Sequence, residues 1–128
     1  KGTFYGCQVF GEYMLNNKKG SIINISSASA GPPLSKAFTY SAAKASIKNL
    51  TQNLGREWGT KGVRVNAIAP GEVKTAILSE GTEKIVADIP MKRLGLPEEV
   101  ADTIFYLCSK EASYVSGAEI EINGGQHV

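Results

Sequence analysis

The stretch "SIINIS", residues 21–26, limits the possible architectures more than any other part of the chain. Successive strand side chains point to opposite faces, so Ile22, Ile23 and Ile25 make both faces of this strand apolar. Such a strand needs cover on both sides, as in the middle of a parallel sheet flanked by helices. The next residues supply cover. "SASAGPPLSKAF" is a loop by composition, with Gly31, Pro32 and Pro33 as breakers. From about Thr39 to Trp58 the apolar period becomes helical, with Ile47, Leu50, Leu54 and Trp58 in one stripe. "VRVNAIAP", residues 63–70, is a second short buried strand, stopped by Pro70.

The flanking segments extend the pattern. "TFYGCQVFGEYMLN", residues 3–16, carries Phe4, Cys7, Gly11 and Met14 or Leu15 at helical spacing. Residues 71–96 are irregular, with one short helix expected around Ala76 to Ala87. "PEEVADTIFYLCS" opens a further helix. Pro97 suits its first position, Glu98 and Glu99 complement its positive end, and Val100, Ile104, Leu107 and Cys108 form its buried stripe. In "AEIEIN", residues 118–123, Ile120 and Ile122 alternate with acids, as in a strand near a sheet edge. The order of helix, strand, helix, strand, irregular lid, helix, strand predicts an α/β fold: a parallel sheet in three layers with right-handed connections. A chain of 128 residues fits one domain. "SIINIS" nonetheless has no earlier strand to flank it, which would leave an apolar edge open. With the opening "KGTFYG", which lacks a methionine, this leads us to expect that N-terminal strands precede Lys1.

Composition narrows the function. The chain is 42% hydrophobic and 20% charged, the balance of an ordered globular protein. Fourteen basic and 12 acidic residues give a net charge of +2, and no basic run exceeds Lys18-Lys19. That argues against a nucleic acid partner. No apolar run approaches the ~20 residues of a membrane helix and no signal-peptide pattern is visible, so we expect no membrane partner and a cytoplasmic location. Cys7 and Cys108 read as reduced, buried small hydrophobes. His127 reads as a tail residue, and no metal site is expected.

In a parallel α/β sheet, ligands bind beyond the carboxyl ends of the strands. Ser26 and Ser27 follow the first strand, Pro70, Gly71 and "GEVKT" the second, and Gly124 and Gly125 the third. The helix holding "YSAAK", residues 40–44, starts from the same edge. Its spacing puts Tyr40 and Lys44 on one face, about one turn apart. A hydroxyl, a phenol and an ammonium thus gather in one place. A free phenol has a pKa near ~10, and a nearby cation favours its ionised form, making it a better acid and base near neutrality. A serine hydroxyl can hold a substrate oxygen against that phenol. None of these groups can supply a hydride, so a cofactor must, and the chemistry they suit is carbonyl to alcohol interconversion on a small molecule. Taken singly, each signal has an ordinary reading. Tyr-x-x-x-Lys is common by chance, Ser27 suits a turn, Pro70-Gly71 is a turn, and Thr75 suits a helix N-cap. Their joint placement at one sheet edge favours a site.

Taken in order, "GSIINISS", "YSAAK", "VRVNAIAPGEVKT", "RLGLPEEVA" and "ASYVSGAEIEINGG" resemble the C-terminal half of a short-chain dehydrogenase/reductase across essentially the whole chain. The resemblance implies a Rossmann-like parallel sheet, of which residues 1–128 supply the last three strands and their helices, the dinucleotide-loop half being absent. It implies NAD or NADP as cofactor and a homodimer or homotetramer. Carried over by position, Tyr40 is the general acid/base, Lys44 assists it and bonds the nicotinamide ribose, and Ser27 orients the substrate oxygen. Pro70 and Gly71 wrap the nicotinamide end, Val73 meets the carboxamide through its backbone, and Thr75 approaches the carboxamide or phosphates. Asn66 matches a structural position. The family's Gly-rich loop, its NAD/NADP-selecting residue and its catalytic asparagine have no counterpart here, so the isolated 128 residues are expected to be inactive. Two alternatives stay open. One is a truncated, non-enzymatic half-fold acting as an interaction module. The other is the family's related chemistry on activated double bonds, epimers or dehydrations.

Overall fold

The structure, a computed structural model, describes residues 1–31, 37–76 and 81–126. Three strands, β1 (Gly20–Ile25), β2 (Val63–Pro70) and β3 (Glu119–Ile122), pair in parallel in the order β1-β2-β3. The register aligns Gly20 with Val63, Ile25 with Ile68, Ala67 with Glu119 and Pro70 with Ile122. Four α-helices, α1 (Gly2–Asn16), α2 (Phe38–Trp58), α3 (Thr82–Asp88) and α4 (Pro97–Cys108), accompany them among the described residues.

Alternation along β2 divides the core into two layers. Val63 and Val65 face α1 and α2, packing with Cys7, Trp58, Met14, Leu50 and Leu54. Ile68 faces the opposite side, packing with Leu107, Ala112, Ile104 and Ile120. Val63, Val65, Ala67, Ile68 and Ala69 are all fully buried. Each buried valine or isoleucine contributes about 1.5–3 kcal/mol of transfer free energy. β2 is thus the strand covered on both faces. β1 lies at a sheet edge, with Ile22 and Ile23 half-buried and Ile25 46% exposed. Close approach requires glycine at Gly55, where a Cβ would lie 2.6 Å from the Gly117 backbone nitrogen.

Polar groups inside this core tie strands to loops. Asn66, fully buried, donates from Nδ2 to the Val115 carbonyl at 2.8 Å and accepts the Ala118 N–H at 3.0 Å. It therefore holds the turn that launches β3, in keeping with the structural role implied by its position. Arg64 donates to the carbonyls of Leu107 (2.8 Å) and Ser109 (3.4 Å), placing a cation at the negative C-terminus of α4.

Several expectations are corrected. The strands step in one direction from β1 to β3, yet α2 and α4 lie on opposite faces, so the two crossovers cannot share a hand. The right-handed rule applies to a helix fed directly by its strand, as in β1-α2-β2, and β2-α4-β3 is then left-handed. The physical reason is the segment 71–96. Its described ends are pinned to each other by a one-residue parallel bridge between Val73 and Gly95, and α4, which follows, packs on the other face. Cys108 is exposed, not buried. A step of 100° separates it from Leu107, and Leu107 takes the inward position. Phe4, placed by periodicity with Cys7 and Gly11, is 55% exposed. Of the short helix expected around Ala76 to Ala87, the described residues form Thr82–Asp88, preceded by Gly81 at φ 102°. Residues 32–36, 77–80 and His127 lie outside the described residues.

Candidate active site

Tyr40 sits in the first turn of α2 and Lys44 one turn later, as the i,i+4 spacing requires. The Lys44 ammonium lies 5.6 Å from the centre of the Tyr40 ring. It also donates to the Ile25 carbonyl at 2.9 Å. The Ser26 N–H points into the sheet, bonding the Ile68 carbonyl, so Ile25 one residue earlier points its own N–H and C=O to the free edge of β1. The ammonium uses that carbonyl. Ser26 Oγ donates to the Lys44 carbonyl at 3.3 Å, tying the same helical turn to the same strand end.

Ser27 leaves β1 in extended conformation and is buried, and its Oγ accepts the Ser29 N–H at 3.2 Å. The turn role and the site role therefore coexist, since a hydroxyl oxygen has a second lone pair and a proton to offer. After β2, Gly71 donates to the Ile122 carbonyl at 3.0 Å, and a Cβ there would lie 2.9 Å from Asn123 Cα. Only glycine lets the turn lie this close to β3. Lys74 N–H bonds the Gly95 carbonyl and Gly95 N–H bonds the Glu72 carbonyl, both at 2.9 Å. Val73 between them points its own N–H and C=O the other way, and among the described residues neither has a partner.

Ser27, Tyr40, Lys44, Pro70, Gly71, Val73 and Thr75 all line one cleft of about 720 Å³ beyond the carboxyl ends of β1 and β2. Ser26, Glu72, Thr82 and Ile85 line it as well. Of these, Ser26 and Glu72 had a signal, being directly adjacent to chosen residues, whereas Thr82 and Ile85 arrive only through the placement of α3. Gly124 and Gly125, which also follow a strand, line a different cavity of about 310 Å³ together with Arg93 and Glu99. There Arg93 pairs with Glu99 through Nη1–Oε2 (2.8 Å) and Nη2–Oε1 (2.6 Å), and Glu99 Oε2 also accepts the Leu96 N–H. Those bonds hold the Glu99 carboxyl down at about 2, the Arg93 guanidinium contributing most. Among the described residues no cluster of three His, Cys, Asp or Glu is placed to hold a metal, and no helix is long and apolar enough to cross a membrane.

Residues 1–127 match the family described as enoyl-(acyl carrier protein) reductase. Glucose 1-dehydrogenase 2 of Bacillus subtilis is 42% identical over 130 residues, covering 97% of this chain and 50% of that protein. A short chain dehydrogenase from Bacillus anthracis superposes with a TM-score of 0.93 at 40% identity, over 99% of this chain and 52% of the other. A 3-oxoacyl-[acyl-carrier protein] reductase from Brucella melitensis, solved with bound NAD, gives 0.92 at 35% identity, over 99% and 48%. The chain spans about half the length of the curated relatives it matches. Fold, sheet edge and sequence agree: the chain belongs to the short-chain dehydrogenase/reductase family.

Proposed function

We propose that this chain carries the proton-handling part of an NAD(P)-dependent oxidoreductase that interconverts a carbonyl and an alcohol. The observation behind the reading is the convergence of Ser27, Tyr40, Lys44 and the 70–75 turn on one cleft. The residues present fit a nicotinamide. Val73 offers an N–H and C=O that have no partner among the described residues, suited to a carboxamide, and Gly71 keeps the turn clear of side-chain bulk beside it. Pro70, Gly71, Val73 and Thr75 would hold that end of NAD or NADP, with Lys44 at its ribose. When bound, the nicotinamide supplies or takes the hydride. In the reducing direction Ser27 Oγ donates to the substrate carbonyl oxygen and orients it. Tyr40 gives its phenolic proton to that oxygen as the carbon–hydrogen bond forms, and the Lys44 cation stabilises the phenolate left behind. The reverse direction returns the proton to Tyr40.

The same reading makes residues 1–128 the C-terminal half of a single Rossmann-like domain and the isolated chain inactive. It implies self-association through α1 and α2, because Phe4, Tyr5, Val9, Phe10 and Tyr13 on α1 are each more than half exposed. It also implies a cytoplasmic enzyme, which cell fractionation checks. The decisive experiment uses the full-length protein. NAD(P)H-linked turnover should fall by about 10²–10⁴-fold on Tyr40→Phe, the usual worth of a general acid. Unchanged turnover would remove Tyr40 from the chemistry. A purified native protein with an intact mass of 13.6 kDa, stable and monodisperse, would favour the non-enzymatic module instead.

A further inference from the structure

Asn24 is a buried amide in the middle of β1, on the face turned toward α1 and α2. Its Nδ2 donates to Thr51 Oγ1 of α2 at 3.0 Å, and its Oδ1 accepts the Cys7 thiol of α1 at 3.4 Å. Cys7, Asn24 and Thr51 are 4%, 5% and 0% exposed, so these bonds are made among buried side chains. An apolar trio of similar size would fill the same space, and the hydrophobic core around it does not need polar atoms. What the polar trio adds is direction: a hydrogen bond holds at one orientation, whereas an apolar contact slides.

The placement gives that direction a use. Thr51 lies seven residues after Lys44, two helical turns, on the same face of α2. Ser26, one residue past the end of β1, lies two residues after Asn24 and continues its face. The strand therefore grips the helix at two heights. Ser26 holds the Lys44 carbonyl at the upper level and Asn24 holds Thr51 below. Two ties about 10 Å apart along its axis resist both roll and tilt, beside the Lys44–Ile25, Lys48–Glu119 and Ser116–Gly55 contacts of the same helix. The phenol oxygen of a tyrosine lies roughly 8 Å from its helix axis, so a roll of 10° moves it more than 1 Å. A misplacement of that size can cost about 100-fold in rate.

We propose that Asn24 and Thr51 are positioning residues, locking the roll of α2 so that Tyr40 and Lys44 meet Ser27. This rests on the oxidoreductase reading above. The experiment takes full-length protein carrying Thr51→Val, which keeps the shape and removes the acceptor, and Thr51→Ser, which restores it. Asn24→Leu is a second disruption. Expected for Thr51→Val is a kcat about 10–100-fold lower with substrate KM within about twofold, and recovery in Thr51→Ser. An independent readout needs no turnover. The NMR signal of ¹³C-labelled Tyr40, assigned by its loss in Tyr40→Phe, should shift in Thr51→Val and return in Thr51→Ser. Thermal stability lost with kcat and the Tyr40 signal unchanged would reduce the trio to ordinary core packing and overturn the lock. If wild-type protein shows no turnover, the oxidoreductase reading fails, while the Tyr40 signal still decides the lock. If Thr51→Val fails to fold, Asn24→Leu is read on the same two measures, and an unmoved signal there overturns the proposal.

Discussion

Replacing Asn66 by alanine tests whether the buried amide holds β3 in the sheet. The change removes two hydrogen bonds and leaves the Val115 carbonyl and the Ala118 N–H, both on half-buried residues, facing the fully buried position of Asn66. An orphaned buried backbone group costs about 1–3 kcal/mol, which sets a range of about 2–6 kcal/mol for two. The Val115 carbonyl keeps a second donor, Arg64 Nη1 at 3.3 Å, so its share is reduced. An estimate of about 2–4 kcal/mol remains, a large part of the 5–15 kcal/mol typical of a folded domain. Urea unfolding followed by far-ultraviolet circular dichroism should show a lower midpoint with an unchanged slope. Hydrogen exchange should show lost protection at Ala118 specifically. Asn66→Asp separates the two bonds, because it keeps the acceptor for Ala118 and loses the donor to Val115. It also buries a charge, so its deficit should shrink as the pH falls and the new carboxyl is protonated. A loss below about 1 kcal/mol for Asn66→Ala would refute the reasoning, since that is less than one orphaned group costs.

Glu99, held at about 2 against an ordinary 4.5, contributes stability that is complete above 4.5 and lost as the pH falls toward 2. Arg93→Gln should flatten that acid dependence, which thermal unfolding at pH 7 and pH 3 measures directly. Gly71→Ala should destabilise by about 1–3 kcal/mol through overpacking against Asn123. It should also weaken nucleotide binding in a fluorescence titration, while a neutral outcome would mean the turn has room to move. Cys108 is exposed and Cys7 buried, with burial raising the Cys7 thiol, so a thiol reagent should modify Cys108 at once and Cys7 only after unfolding. Cys108→Ser should abolish the fast phase.

The elements with long apolar patterns were legible in the sequence. α2 was found to within one residue because its stripe runs from Ile47 to Trp58, and β2 because Val63 to Ala69 leaves no polar face except Arg64 and Asn66. Ser27, Pro70, Gly71, Val73 and Thr75 follow from asking what stands just past each strand, and Tyr40 and Lys44 from their i,i+4 spacing on the helix that starts at the same edge; all seven line one cleft. Other features were not legible, for physical reasons. The hand of the second crossover depends on where the irregular segment 71–96 delivers the chain, which no periodicity encodes. The start of α3 depends on Gly81 adopting a positive φ, one of several glycines that could have done so. Asn24 and Thr51 interrupt apolar patterns as single polar residues, and only their meeting with Cys7, across seventeen and twenty-seven residues of chain, gives them meaning.

The bridge between Val73 and Gly95 has a consequence for how such a protein can change over generations. It closes the residues between them into a loop whose two ends are fixed to each other before they reach the sheet. Lengthening a closed loop is cheap, about 0.6 kcal/mol for each doubling. Insertions and replacements near Thr82 and Ile85 are therefore insulated from β2, whereas Met91, bonded to Gly124, and Arg93, paired with Glu99 of α4, tie down the second limb of the loop. The wall of the cleft formed by Thr82 and Ile85 can be rewritten for a new ligand while the sheet, and the proton-handling residues it carries, stay as they are.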